Sequence, residues 1–403
     1  MTPWRQLIFR LLIPRPLELT TKGLLLPLAA MVAAIYYRGR PFPEVLSETA
    51  IAWLLFEFLL YQGRYTINDL LDRRHDTGGL YGSHRLPLGV CGDGNPCPLP
   101  PDGIAAIFVA ITSRLVIFLY VTLAIRGLDQ LGKALIIAGL TLAILTAAYE
   151  ALRARTRVAA VKPLKLTWLK VAIYFLVGSG YALRVVLGWW LGASGHASLT
   201  IFATLGTSAW LFGVTSVLMT WILEGSASVP LHPSPAHVYD TRVSTKNHLG
   251  PLLVTSELVT RDAVEAQVGP PDATAGQLRL FKSGSHPASG LFKAWNLIFM
   301  LACCGCSLLT AEMAGLLSKN HLTVAVPCVF AGGLCGLVSV RAPALFPALA
   351  SGILLAGAIY ALILSASSNA SPVIVVPTVG ICIFTIILRT FSYADLNAPK
   401  RGP

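Results

Sequence analysis

The chain has 403 residues, 55% of them hydrophobic and only 12% charged, with a mean hydropathy of +0.67; an average soluble domain carries about 25% charge. This excludes a large water-soluble globule and leaves a polytopic membrane protein. The formal net charge of +12 invites a nucleic-acid reading, which the distribution of the charges removes, because they follow a membrane topology.

Apolar runs of about 20 residues, the length that crosses a bilayer, predict ten candidate spans. In chain order they lie near 17–37, 47–67, 103–126, 131–150, 166–191, 199–223, 288–316, 322–340, 343–366 and 372–389. Arg341 and Pro343 either divide two spans or mark a re-entrant segment, so the expected count is nine or ten. The basic, apolar start runs straight into the first span and reads as a retained anchor, not a cleaved signal. With the N-terminus in the cytosol, most of the 31 Lys and Arg fall on the inner side, as the positive-inside rule requires. The expectation is an all-α, multi-pass helical bundle of nine or ten transmembrane helices around a central cavity. It is one membrane domain over 1–403 with two long cytosolic loops, 68–102 and 224–287. The first loop ends in the turn-rich CGDGNPCPLPPDG. The second holds TSELVTRDAVEAQ, a predicted short helix with Thr255 or Ser256 near its cap. Of the eight cysteines, Cys91 and Cys97 share the first loop, where a reducing cytosol disfavours a disulfide. The others lie in spans as small packing residues.

Carboxylates are scarce in such a chain, because ionised groups in hydrocarbon are expensive and usually mark function. RYTINDLLDRRHD nevertheless places Asn68, Asp69, Asp72 and Asp76 directly after an apolar run. Spacings of three and four put these acids on one helix face. Such a face repels itself unless it holds a cation, and oxygen ligands of this kind suit Mg²⁺. The bland alternative is a solvated helix end partnered by Arg73 and Arg74. Arg184 lies mid-span, where it must line a cavity or pair with an acid. Lys170 reads either as a site residue or as a side chain snorkelling from a span end. Trp189 and Trp190 read as an interfacial belt or as aromatic faces for a cation. Arg153, Arg155 and Arg157 read as topology signals or as phosphate contacts.

RYTINDLLDRRHD followed by HRLPLG resembles the first Asp-rich motif of the UbiA superfamily of intramembrane prenyltransferases. LLIPRPLELTTKG, with Arg15, Pro16 and Lys22, is similar to that superfamily's opening segment. YEALRARTR resembles its Tyr and basic residues after the fourth helix, and GYALRVVLGWW its Leu-Arg-x-x-x-Gly helix, in particular in the decaprenylphosphate phosphoribosyltransferase-like branch. The likeness covers about the first half of the chain. The resemblance implies a helical membrane fold and Mg²⁺-dependent chemistry on an isoprenyl diphosphate. It implies metal ligands at Asn68, Asp69, Asp72 and Asp76, with Asn68, Asp69 and Asp72 at the catalytic step. Substrate contacts are expected from Lys22, Arg64, Arg73, Arg85, Tyr149, Arg153 and Arg184.

The second half departs from the pattern. Where a second Asp-rich motif is expected the chain reads TWILEGSASVPLHPSPAHVYDTR, so Glu224, Asp240 and Lys246 are the candidates for that half-site. The leading expectation is therefore transfer of a prenyl group to an acceptor within the membrane, with the site facing the cytosol and no nucleic acid involved. A terpene cyclase of the same superfamily, acting on farnesyl or geranylgeranyl diphosphate, suits the altered second motif. A polyprenyl-phosphate phosphoribosyltransferase-like enzyme is the third reading. A transporter predicts charges in both halves of the chain, whereas here they concentrate in the first.

Overall fold

The structure, a computed structural model, describes residues 12–20, 22–37, 41–76, 101–124, 129–158, 167–193, 199–229, 236–240 and 278–280. The expected spans from 288 to 389, the loop helix TSELVTRDAVEAQ, Arg85 and Lys246 lie outside these residues.

From Leu12 to Gly225 every described element is helical. In order they are α1 (Pro16–Thr20), a 3₁₀ turn (Lys22–Leu24), α2 (Leu25–Tyr37) and α3 (Phe42–Trp53). A π-helix (Leu54–Tyr61) then leads without a break into α4 (Gln62–Asp76). The chain continues with α5 (Pro101–Ala124), α6 (Asp129–Val158), α7 (Trp168–Leu176), α8 (Ser179–Ala193) and α9 (Leu199–Gly225). Three short strands come next, β1 (Ser226–Val229), β2 (Ala236–Asp240) and β3 (Leu278–Leu280), antiparallel in the order β1-β2-β3. Ser226 faces Tyr239, and Val238 faces Leu280.

Four stretches are long and apolar enough to cross a membrane: Glu18–Ile35, Gly103–Ala124, Leu131–Thr156 and Trp168–Ala193. They coincide with expected spans. Those expected at 47–67 and 199–223 are helical but are not among the four. Much of α5 is exposed, including Phe108, Tyr120 and Leu123. Apolar side chains on the outside of a helix are what a hydrocarbon surround permits and water does not.

The seam between α2 and α8 is tight because its residues are small. A Cβ on Gly188 would lie 2.2 Å from the Leu26 carbonyl oxygen, and one on Gly192 would lie 2.1 Å from that of Ala30. Ala29 and Ala33 complete the facing surface. Helices in lipid associate mainly by such close van der Waals approach. Around this seam Leu26, Ala30, Phe56, Tyr61, Leu135 and Leu187 form the main core, and Ala33, Val185, Trp189 and Leu205 a second.

The expected span at 166–191 is present as Trp168–Ala193 but carries an internal turn. Val177 and Gly178 form a turn between α7 and α8, and a Cβ on Gly178 would lie 2.3 Å from the Trp210 carbonyl oxygen of α9. Only glycine allows that approach. Nearby, the Trp210 indole donates to the Phe175 carbonyl at 2.7 Å and stacks on its ring at 5.3 Å.

The π-helix sets the rotational phase of α4. The Gln62 N–H donates to the Glu57 carbonyl, five residues back. In an α-helix every fourth residue drifts about 40° around the axis; the wider i→i+5 turn reverses that drift. Trp53, Glu57, Tyr61, Tyr65 and Asp69 therefore stay on one side of the helix. The segment from Arg15 to Gly23 runs along that side. Arg15 meets Tyr65 and Asp69 at one end, and Gly23 meets Trp53 and Glu57 at the other.

Candidate functional site: a column of paired charges inside the bundle

Asp69 stands at the head of the column. Its carboxylate is 1% exposed, and its Oδ1 accepts from Arg15 Nη2. Arg15 is fixed by its backbone as well as its side chain: its N–H donates to Gln62 Oε1 at 3.0 Å, and its carbonyl accepts from Gln62 Nε2 at 3.4 Å. Its guanidinium lies 4.6 Å from the centre of the Tyr65 ring. Asp69 Oδ2 is also buried, with no hydrogen-bond partner among the described residues. A buried carboxylate oxygen left so is costly unless a further donor or a cation completes it.

Asn68 is held from the other side. Its Oδ1 accepts from Arg153 Nη1 at 2.9 Å, and the same nitrogen lies 3.2 Å from Glu150 Oε1. The Arg153 guanidinium sits 5.1 Å from the Tyr149 ring centre. The basic stretch 153–157 thus divides: Arg153 is buried, whereas Arg155 is exposed. Helix α6 carries Arg153 inward because it continues to Val158, beyond the expected end of the span at 150.

One turn deeper, Lys22 pairs with Glu18 at 2.5 Å and lies 5.8 Å from the Tyr181 ring centre. Deeper again, Glu57 takes Arg184 in a two-pronged grip, Nε to Oε1 at 2.5 Å and Nη2 to Oε2 at 2.8 Å. These two side chains are 1% and 2% exposed. The Arg184 guanidinium lies 3.6 Å from the Tyr61 ring centre, and its Nη1 donates to the Gly180 carbonyl at 3.2 Å. Arg64 Nη1 donates to the Tyr61 hydroxyl at 2.9 Å.

Of the expected site residues, Lys22, Arg64, Asn68, Asp69, Tyr149, Arg153 and Arg184 all join this column or its flank. Arg184 takes the paired alternative, with Glu57 as its partner. Asp72, Arg73 and Asp76 continue α4 at its last turn, and Glu224 and Asp240 fall in α9 and β2; their side-chain contacts lie outside the description. Lys170 is buried, not snorkelling. Trp189 is enclosed in protein beside Tyr37, with ring centres 6.1 Å apart, and does not form an interfacial belt. One face of Tyr181 is covered, since Gly213 packs onto its ring.

Glu57, Glu18, Tyr61 and Tyr65 were not anticipated. Glu57 had a signal, as the one acid within LLFEFLLY: an ionisable group in an apolar span needs a partner, and Arg184 needed one too. Among the described residues no three of His, Cys, Asp and Glu gather as a ready metal site. No family model, curated protein or solved structure matches the chain.

Proposed function

We propose that the protein is a Mg²⁺-dependent intramembrane prenyltransferase that ionises an isoprenyl diphosphate at the head of the column. The observation that carries this reading is Asp69, buried, gripped at one oxygen by Arg15 and with a second oxygen that no described residue partners. That oxygen fits a hard cation, and Asp72 and Asp76 follow it at helical spacing on the same face. Bound there, Mg²⁺ supplies Lewis-acid neutralisation of the leaving diphosphate oxygens.

The chain's own residues then have distinct tasks. Arg15 and Arg153 hold Asp69 and Asn68 in fixed orientations, so the ligand face is set before substrate arrives. Arg64 and Arg73 supply further cationic contacts for phosphate oxygens. As the C–O bond breaks, its electron pair leaves with the diphosphate and an allylic cation remains. The surrounding apolar helices keep out water that would otherwise capture the cation. The acceptor forms the new bond to the allylic carbon and gives up its proton.

Purified full-length protein with farnesyl or geranylgeranyl diphosphate, assayed with and without a total membrane-lipid extract as acceptor source, tests this. Pyrophosphate release is expected only with Mg²⁺ and is lost in Asp69→Ala. Release without added acceptor, together with a cyclic hydrocarbon or alcohol, replaces the transferase by a terpene cyclase. No turnover, with metal binding unchanged in Asp69→Ala, refutes the site.

A further inference from the structure

Five basic side chains belong to the column and its flank, and four of them are matched. Arg15 has Asp69, Lys22 has Glu18, Arg153 has Glu150 and Arg184 has Glu57. Arg64 differs: among the described residues no carboxylate pairs with it, and its hydrogen bond goes to the Tyr61 hydroxyl. It is half-buried, in a setting where an unmatched guanidinium favours an anion.

We propose that Arg64 is the anion contact that this column keeps in reserve, held ready by Glu57, Arg184 and Tyr61 acting as positioning residues. The inference rests on the diphosphate reading above and deepens it.

Each step of the support has its own geometry. Glu57 fixes the plane of the Arg184 guanidinium through two bonds, the arrangement that gives arginine–carboxylate pairs their directional precision. The third link, to the Gly180 carbonyl, ties that plane to the α8 backbone. The plane then covers the Tyr61 ring at 3.6 Å, and Phe56 meets the same ring edge-on at 5.6 Å. The hydroxyl has no lateral freedom, because it packs against Gly180, where a Cβ would come within 1.8 Å of it. The oxygen that receives Arg64 is therefore a fixed point. A long side chain loses rotamer freedom when it captures an anion; anchoring one nitrogen beforehand lowers that cost and leaves the rest of the fork to the ligand.

The same geometry settles the part played by Arg184. Three of its five N–H donors go to Glu57 and Gly180, its face lies on Tyr61, and the side chain is 2% exposed. It acts on a phosphate through Tyr61 and Arg64, not by touching it.

The test uses full-length protein in detergent with Mg²⁺ and inorganic pyrophosphate as the probe, read by isothermal titration calorimetry. Arg64→Gln is expected to weaken binding about tenfold or more, the loss of a charge-assisted bond. Tyr61→Phe keeps the ring and its stacking and removes only the anchor, so a loss of about three- to tenfold is expected. The double variant is expected to bind no more weakly than Arg64→Gln alone, because the hydroxyl acts only through the arginine. A second route removes the buried pair without leaving an orphan charge. Glu57→Leu with Arg184→Met is expected to stay folded and to show the same several-fold loss as Tyr61→Phe. Additive losses in the first pair, or full affinity in the second, overturn the relay and leave the diphosphate site standing. Failure of the unaltered protein to bind the probe overturns the site and the relay together.

Discussion

The α2–α8 seam makes one substitution carry opposite signs at different glycines. In a helix Gly→Ala ordinarily stabilises, by about 0.5–1 kcal/mol, since glycine loses more backbone freedom on folding. At Gly63 the nearest atom to an added Cβ is Arg114 Cδ at 3.8 Å, an ordinary contact, so the ordinary gain is expected. At Gly188 and Gly192 the nearest atoms are backbone oxygens at 2.2 and 2.1 Å, where 3.4 Å is needed. A carbonyl cannot rotate aside, so the two helices must separate by about 1 Å. A gap of that size forfeits roughly a quarter to a half of each dispersion contact it opens. Overpacking of this kind costs about 1–3 kcal/mol. Gly188→Ala and Gly192→Ala should therefore each destabilise. Their combination should cost less than the sum, because a seam opened for one methyl already has room for the second. Unfolding by SDS in mixed micelles, followed by tryptophan fluorescence, measures the four variants against the unaltered protein. Stabilisation at Gly188 comparable to that at Gly63 would refute the close approach of α2 and α8.

Two further outcomes are expected. Glu57→Leu or Arg184→Met alone leaves a buried charge without its partner and should cost about 3–5 kcal/mol, whereas the double variant should unfold close to the unaltered protein; equal stability of single and double variants in the same micelle assay rules out the buried pair. Arg153→Ala should lower pyrophosphate release about tenfold or more by freeing Asn68. Arg155→Ala, on the exposed side of the same helix, should leave release within about twofold; the reverse ranking would place the functional face of α6 on the wrong side.

The helices were readable in the sequence because a run such as LTIFATLGTSAWLFGV offers hydrocarbon nothing but side chains and internally bonded backbone. The face carrying Asp69 was readable too, since helical spacing is a property of the chain alone. Pairings were not. Arg15 reaches Asp69 across 54 residues and Glu57 reaches Arg184 across 127, and no local pattern records such distances. The sequence did state half of the second pairing, by placing Arg184 where it needed a partner. The break between α7 and α8 was hidden because hydropathy is blind to a turn satisfied from α9, although VGSG supplied the small residues that allow it. The π-helix was hidden for a related reason: LLFEFLLY is as apolar in one helical form as in the other.

That π-helix makes residue number itself a structural variable. Over Leu54–Tyr61 the chain spends more residues per turn than the α-helices on either side. Excising a single apolar residue there, with no charge or aromatic group altered, would let the segment relax into α geometry. Because the wider turn already holds the extra residue, that relaxation leaves the helix after it close to its present phase, whereas the same excision within α4 ahead of Asn68 turns everything after it by about 100°. That second excision swings Asp69 and Asn68 away from Arg15 and Arg153 while Glu57 stays with Arg184. The head and foot of the column are kept in phase by chain length between them, so a shortened chain could keep its bundle and lose its chemistry.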